Sequence, residues 1–239
     1  MKIQLEIKLL MLIGMLFFNK VYAQNQKVKS ILEKSLDAHG GENTISEIKQ
    51  IKYLKTTYTY DKEGNIVKKT KQQITHQFDP YETEILSDNK FIKTNGIDIE
   101  IIKNGKNIND LESLNSAKGI LDGAFYVFWQ PMKLKDPGTI IKYLGEIYLP
   151  NQKKVHSLQV SYLKGSDTWK FYFDTSSYLL VATEVNHNDR ISLIYTTDFN
   201  FRTSGVFHFK RESYKLTENR KKLALQASYT YDILDIVKK

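Results

Sequence analysis

The sequence feature that most constrains the fold is the stretch from Gly119 to Gly138, which reads GILDGAFYVFWQPMKLKDPG. Its first half is dense in large apolar side chains, and Pro131 then interrupts the run. Proline lacks a backbone donor and stops a helix, so we predict one apolar helix that begins between Asp110 and Ser116. The segments on both sides have the patterns of strands. This helix therefore has to bury its apolar face against their sheet.

The N-terminal segment has the pattern of a secretory signal peptide. Lys2 and Lys8 make its start basic, residues 9–18 form an unbroken apolar run, and Ala23 is a small residue suited to cleavage. The apolar run is shorter than the ~20 residues that a membrane-spanning helix needs. The chain has no cysteine, so it lacks the thiol that anchors a bacterial lipoprotein. We expect residues 24–239 to form one domain that is periplasmic or secreted.

The formal net charge is +8 at pH 7. Such an excess attracts anionic membrane surfaces or acidic ligands. The basic residues are spread along predicted strands, as at residues 68–71 and 220–222, where lysines on solvent faces oppose edge-to-edge aggregation. For an exported chain with this distribution, we expect no nucleic-acid partner and a monomeric state.

Two helices are predicted before the first strands. The first has apolar residues at helical spacing and stops at Gly40 and Gly41. The second is predicted from Thr44 to Gln50, with Asn43 as its N-cap.

Nearly all the rest of the chain alternates between strand patterns and turn signals. Asn95-Gly96 and Asn104-Gly105 favour type I′ turns, and they flank a strand predicted from Ile97 to Lys103. Strands joined by short loops are antiparallel neighbours, and twist curls a long meander toward a barrel. We predict a mainly β fold, a curled antiparallel half-barrel of roughly eleven strands with an N-terminal helix and a central helical plug.

No catalytic or metal-binding signature is present in the sequence. There is no G-x-S-x-G elbow and no glycine-rich phosphate loop. The five histidines have no metal-ligand spacing, and they are His39, His76, His156, His187 and His208. His39 is singled out because it precedes two glycines at a helix end. It is either a polar group at the mouth of a cavity or a residue that favours the helix dipole. We predict no metal, no cofactor and no catalysis.

Aromatic residues on the predicted strands alternate with polar ones. Trp169, Phe171 and Phe173 share one strand face, while Tyr172 points to the other. Phe207 and Phe209 form a second such pair. Together with the central helix, these residues either line an apolar cavity or form a packed core. The candidate cavity residues are Leu121, Phe125, Phe128, Trp129, Trp169, Phe171, Phe173, Phe207 and Phe209, with His39 as the polar residue at the mouth.

Three segments carry a resemblance to known proteins. They are L-D-A-H-G-G at residues 36–41, F-Y-x-F-W-x-P-x-K-L-x-D-P-G at residues 125–138, and D-T-W-x-F-Y-x-D at residues 167–174. The chain resembles a family of secreted bacterial proteins of uncharacterised function. It is more distantly similar to the LolA/LolB-like superfamily of lipoprotein carriers and receptors. That second resemblance implies binding of acyl chains in a hydrophobic half-barrel closed by helices.

The sequence thus favours an exported carrier-like protein that binds a lipid or an acylated protein, with an envelope or outer-membrane partner. Two alternatives stay open. One is an envelope hydrolase acting on lipid or glycan, whose acids and His39 meet only in three dimensions. The other is a structural envelope protein with a fully packed interior and no ligand.

Overall fold

The computed structural model describes residues 24–162, 168–187, 190–216 and 222–239. The predicted signal peptide and the turns predicted at residues 164–167 and 188–189 lie outside the described residues. Helix α1 covers residues 24–38. The other helical elements are α2 (Glu42–Ser46), α3 (Leu111–Phe128) and a 3-10 turn (Met132–Lys135). None of the described helices is both long and apolar enough to cross a membrane.

The described residues form a single sheet of thirteen strands. The strands are β1 (Ile48–Tyr60), β2 (Ile66–Phe78), β3 (Tyr81–Ser87), β4 (Lys90–Thr94), β5 (Ile99–Lys103), β6 (Lys106–Asn107), β7 (Thr139–Tyr148), β8 (Lys154–Tyr162), β9 (Thr168–Asp174), β10 (Leu180–His187), β11 (Arg190–Arg202), β12 (Gly205–Leu216) and β13 (Lys222–Lys238).

Two antiparallel meanders meet at the centre of this sheet. The strand order is β6-β5-β4-β3-β2-β1-β13-β12-β11-β10-β9-β8-β7. The first and last strands of the chain are therefore neighbours, with Tyr53 opposite Ile233 and Thr57 opposite Tyr229. Helix α3 connects the outer edge of one meander to the outer edge of the other. The predicted antiparallel, mainly β fold with an N-terminal and a central helix is confirmed, with thirteen strands in place of about eleven.

Helix α3 touches both meanders, which requires the sheet to curl around it. The Phe125 ring lies 5.2 Å from the His76 ring on β2, and the Tyr126 ring lies 5.4 Å from Trp169 on β9. These two strands are six positions apart, which would be ~29 Å in a flat sheet. A helix with its side chains is only about 10–12 Å wide. The sheet must therefore bend toward the helix from both sides.

A local signal sets the start of α3. The Asp110 side chain accepts a hydrogen bond of 2.8 Å from the Ser113 amide, which satisfies one of the free donors of the first turn. Ala117, Leu121 and Phe128 form the buried stripe of the helix. This stripe packs against the first meander in a cluster that includes Ile51, Tyr53, Ile74, Ile85, Ile92 and Ile101.

Helix α1 covers the second meander. Ile31 is 1% exposed and packs in a cluster with Leu158 on β8 and Phe171 and Phe173 on β9. At the end of α1, the carbonyl of His39 accepts a hydrogen bond of 2.9 Å from the Val206 amide at the start of β12. The two helices thus fill different halves of the same curved face.

The predicted second helix was wrong in its limits. The structure has α2 at Glu42–Ser46, with Gly41 at the N-cap position and Asn43 inside the helix. Gly41 has a φ of 80°, which glycine adopts readily. Ile48 already belongs to β1 and is 1% exposed. The helix was predicted to extend to residue 50 because Ile45 and Ile48 have helical spacing. In the structure, burial of Ile48 in the core favours the strand instead.

The strand predicted from Ile97 begins later, at Ile99. The Asn95 side-chain oxygen accepts hydrogen bonds from the amides of Ile97 and Asp98, at 2.9 and 2.8 Å. These bonds hold both residues in the turn, because an asparagine side chain competes with the sheet ladder for backbone donors. As a result, Ile97 is 89% exposed instead of facing the core.

Candidate ligand-binding cleft

A cleft of about 580 Å³ lies between α3 and the end of the second meander. It is bounded by the start of β3, by one flank of α3, by the 3-10 turn, and by β8 and β9. Its lining residues are Tyr81, Asp122, Gly123, Phe125, Tyr126, Lys133, Tyr162 and Trp169.

Aromatic rings form most of the walls. The Phe125 ring meets the Tyr81 ring edge-on, with centroids 5.4 Å apart. On the opposite side, Tyr126 contacts both Tyr162, at 5.9 Å, and Trp169, at 5.4 Å. Two consecutive residues of α3 therefore face the two meanders. Such rings provide a large apolar contact area for a ligand at little cost in side-chain entropy.

One end of the cleft is polar but uncharged. The hydroxyl groups of Tyr126 and Tyr162 are 2.6 Å apart. Burial raises the pKa of both tyrosines, so the hydroxyls keep their protons at neutral pH. Gln130 is 2% exposed, and within the described part of the chain neither polar atom of its side-chain amide has a hydrogen-bond partner of good geometry.

The charged groups of the cleft are paired with neighbours. Lys133 forms an ion pair with Asp136, and its ammonium lies 4.9 Å from the centroid of the Phe125 ring. Asp122 pairs with Lys118 at 2.6 Å, four residues earlier on α3. Since each charge has its counter-charge within the protein, the cleft presents a mainly apolar surface.

The predicted cavity residues fall into four places. Phe125 and Trp169 line the cleft. Leu121, Phe128, Trp129 and Phe207 are buried in the core beneath α3, at 1% to 3% exposure. Phe171 and Phe173 are fully buried under α1, and half-buried Phe209 lies beside Lys210 with its ring 5.2 Å from the ammonium. Ligand contact by these nine residues stays a prediction.

The core residues are tightly stacked on one another. The rings of Tyr53 and Phe128 are parallel at 4.2 Å, and Phe207 stacks on the other side of Phe128 at 5.6 Å. Trp129 meets Phe78 edge-on at 4.7 Å. The face alternation on β9 is as predicted, since Tyr172 packs in a different cluster from Phe171 and Phe173. The alternation in the sequence assigned Phe171 and Phe173 to one face of β9, but it did not show that α1 covers that face.

His39 lies at the end of α1 and does not line the cleft. It is 1% exposed, and its Nδ1 atom is 2.7 Å from the Ser35 carbonyl. Burial lowers the pKa of His39 to about 4, so the ring is neutral at physiological pH. Its role at a cavity mouth stays a prediction.

The sequence reasoning missed six of the eight cleft residues, namely Tyr81, Asp122, Gly123, Tyr126, Lys133 and Tyr162. For two of them a signal existed. Tyr126 follows Phe125 in the apolar helix, and Tyr162 continues the alternation of Leu158 and Val160 on β8. Nothing local indicated that these residues would meet, because β8 and α3 come together only when the sheet curls.

One histidine, His156, lies beside a carboxylate, which is the pairing that a hydrolase would use. Such an enzyme requires an acid whose pKa is matched to proton transfer, often a carboxylate with a raised pKa beside a histidine. His156 lies 3.5 Å from Glu146, but a hydrogen bond from Lys154 lowers the pKa of that carboxyl group. Within the described ranges, no three potential metal ligands are grouped.

The fold of this chain is similar to those of several solved structures. The chain is similar to a DUF1329 family protein from Desulfovibrio piger, with a TM-score of 0.52 and 7% identity over 89% of this chain and 93% of that one. It also aligns with a putative outer membrane lipoprotein-sorting protein domain from Vibrio parahaemolyticus, with a TM-score of 0.45 and 7% identity over 87% and 93% of the two chains. For the Mycobacterium tuberculosis lipoprotein LppX, the TM-score is 0.28 and the identity is 10% over 87% and 96%.

The likeness is one of fold. At 7% identity, the similarity to the Desulfovibrio piger protein extends over nearly the whole chain but transfers no residue roles. No protein-family model matches the sequence, and no curated protein matches it.

Proposed function

We propose that this protein is an exported carrier that binds a lipid or another apolar ligand in the cleft between α3 and strands β8 and β9. The observation that carries the proposal is the cleft itself, which is open, lined mainly by aromatic rings, and about 580 Å³ in volume. Sites for small molecules typically have volumes of roughly 300–1,000 Å³ and are largely apolar with a few polar groups. The hydroxyl pair of Tyr126 and Tyr162 provides those polar groups.

The cleft also bears on the alternative of a packed structural protein. That alternative predicts no cavity larger than a few waters, each occupying about 30 Å³. The cleft, at about 580 Å³, is several times larger than the volume of a few waters. The same proposal includes three further points. The protein is exported, it belongs to the secreted family with the F-Y-x-F-W-x-P-x-K-L-x-D-P-G segment, and an envelope partner loads or receives its ligand.

Tryptophan fluorescence tests the proposal directly, because the chain has only two tryptophans. Trp129 is buried in the core, whereas Trp169 lines the cleft. In the Trp129→Phe variant, Trp169 is the only reporter, and we expect palmitate to shift its emission to the blue in a saturable way. The reciprocal Trp169→Phe variant should show little change. Equal responses from both variants would contradict binding in this cleft.

A pair of matched substitutions tests the same site without relying on fluorescence. Phe125→Asp places a charge in the cleft wall, where it disfavours an acyl chain. Phe201→Asp is the control, because Phe201 is 70% exposed and lies outside the cleft. We expect loss of palmitate binding in the first variant only, measured by native mass spectrometry with circular dichroism to confirm the fold. Retained binding in a folded Phe125→Asp protein would refute the proposal.

A further inference from the structure

Helix α3 has a second groove on its other flank. This groove has a volume of about 310 Å³. Ile120, Ala124 and Val127 form its helical wall, and Ile74 and Tyr231 belong to the facing strands. The aromatic cleft and this second groove therefore lie on opposite sides of one helix, each between the helix and a different part of the curled sheet.

The ridge of α3 between the two grooves has two glycines, Gly119 and Gly123, on successive turns. Gly123 lines both the cleft and the second groove, and Gly119, which lies one turn earlier on the same face, lines the second groove. No atom of the described residues would lie within 4 Å of a Cβ atom added at either glycine. At Gly123, the two apolar surfaces are thus separated only by helical backbone.

Packing within the protein does not require these two glycines. Glycine is less favourable than alanine in a helix interior because it loses more backbone freedom on folding. Both positions are exposed, and the space around them is open. Because these two positions have no side chain, nothing projects from the helix between the cleft and the second groove there. We call the position of Gly123 the crossing point.

Resting on the proposed function, we propose that the ligand is an anionic lipid with two acyl chains that straddles α3 at Gly123, with one chain in each groove. A ligand with one chain fills a single groove and leaves the other in water. A lipid with two chains buries apolar area on both flanks, and its glycerol region crosses the helix where no side chain stands.

The charge of the head group is inferred from Lys55. This residue lines the second groove, and its ammonium lies 5.4 Å from the Tyr229 ring and 5.9 Å from the Tyr231 ring. Among the described residues, no carboxylate forms an ion pair with Lys55. The lysines and acids of the aromatic cleft are paired, so Lys55 is the cation of these two grooves that is available to a phosphate.

A competition experiment tests the number of chains. The delipidated protein is mixed with equal amounts of dipalmitoyl phosphatidylglycerol and its one-chain lyso form, and native mass spectrometry measures the ratio of the two complexes. We expect the two-chain complex to exceed the one-chain complex at least about tenfold, since each buried methylene adds several-fold to affinity.

Three leucine substitutions locate the effect on α3. Gly119→Leu fills the second groove and Gly123→Leu blocks the crossing point, so both should lower the preference for two chains roughly tenfold. Ser116→Leu is the matched control, because it adds the same side chain at an exposed position of the helix outside both grooves. Lys55→Met should remove a preference for phosphatidylglycerol over phosphatidylcholine.

The outcomes separate this inference from the proposed function. If neither lipid binds and palmitate also fails to bind, the proposed function is wrong. If both lipids bind equally, or if Gly119→Leu and Gly123→Leu leave the two-chain preference unchanged, the two-chain inference is wrong while the carrier function stands. Equal binding of phosphatidylglycerol and phosphatidylcholine would overturn the anionic head group.

Discussion

The backbones of Gly40 and Gly205 are in direct contact, because a Cβ atom placed on Gly40 would lie only 2.7 Å from the Cα atom of Gly205. Gly40 follows the end of α1, and Gly205 is the first residue of β12. This contact brings α1 against the turn between β11 and β12. It therefore fixes the end of the helix that covers the second meander.

Replacing Gly40 with alanine should destabilise the protein strongly. Its φ of 113° is unfavourable for an L residue. The new methyl group would also collide with the backbone of Gly205, which cannot move aside as a flexible side chain could. We expect a loss of about 2–4 kcal/mol in the free energy of unfolding, measured by urea denaturation. Gly41→Ala is the control, since Gly41 also has a positive φ but has no atom within 4 Å of the added Cβ. Similar losses in both variants would show that the contact with Gly205 is unimportant.

Phe128 should be among the most costly core residues to truncate. It is 1% exposed and stacks between Tyr53 and Phe207. Phe128→Ala should cost about 3–5 kcal/mol, because it removes apolar contacts and leaves a cavity. Phe201→Ala, at a residue that is 70% exposed, should change stability by less than about 0.5 kcal/mol. A loss below about 1 kcal/mol for Phe128→Ala would mean that this core is loosely packed.

Stability should fall as the pH drops below 6.5. Burial lowers the pKa of His76 to about 3 and that of His39 to about 4. Above pH 6.5 these rings are neutral in both states and contribute nothing to the pH dependence. Below it, the unfolded chain binds protons that the folded chain does not bind. Each ring then reduces the free energy of unfolding by about 1.4 kcal/mol per pH unit until the folded pKa is reached.

The His76→Gln variant isolates one of these contributions. Between pH 6 and 4.5, we expect the slope of unfolding free energy against pH to decrease by about 1.4 kcal/mol per unit relative to the unmodified protein. Urea denaturation at several pH values in this range measures it. The absolute stability should also fall, because the Nε2 and Nδ1 atoms of His76 contact Tyr53 and Thr83, each at 3.1 Å. An unchanged slope would show that His76 becomes protonated without unfolding.

Alanine at Gly119 or Gly123 should stabilise the protein. Both glycines lie within α3, and an added Cβ meets no atom within 4 Å. Each substitution should raise the free energy of unfolding by about 0.5–1 kcal/mol, because the unfolded chain has less entropy to lose. Thermal unfolding would show this as a higher melting temperature. A lower melting temperature in either variant would mean that the ridge packs more closely than the structure indicates.

Arg211 carries a buried charge. It is 2% exposed, its Nη2 atom donates a hydrogen bond of 3.0 Å to the Thr183 hydroxyl, and its Nε atom has no hydrogen-bond partner among the described residues. Buried ions are costly unless well paired, so Arg211→Met should be neutral or stabilising by about 1–3 kcal/mol. Thr183→Val should instead cost about 1–3 kcal/mol, since it removes the acceptor and leaves the guanidinium buried. Strong destabilisation by Arg211→Met would indicate that the guanidinium is satisfied in another way.

Several features could be predicted because their causes are local. The strand at Thr168–Asp174 and the hairpin of β1 and β2 follow from alternation and turn residues. The start of α3 was predicted between Asp110 and Ser116, and in the structure the Asp110 cap sets it. The predictions failed where a local pattern competed with burial, as at Ile48, or with a side-chain hydrogen bond to the backbone, as at Ile97.

The candidate site was only partly predictable. Phe125 and Trp169 were identified from their apolar and alternating patterns, and both line the cleft. The same patterns selected Phe171 and Phe128, which are fully buried. Alternation assigns a side chain to a face of the sheet, but it contains no information about which helix will cover that face.

The sequence by itself determined the elements of this protein: an apolar helix between two series of strands, with turn residues that make neighbours antiparallel. Only the tertiary structure decided that β1 pairs with β13 and that the sheet curls until Tyr126 meets both Tyr162 and Trp169. The physical reason is the range of the interactions. Caps, turns and alternation act over a few residues, whereas the cleft depends on contacts between residues far apart in the chain, which form only when the two meanders close around α3.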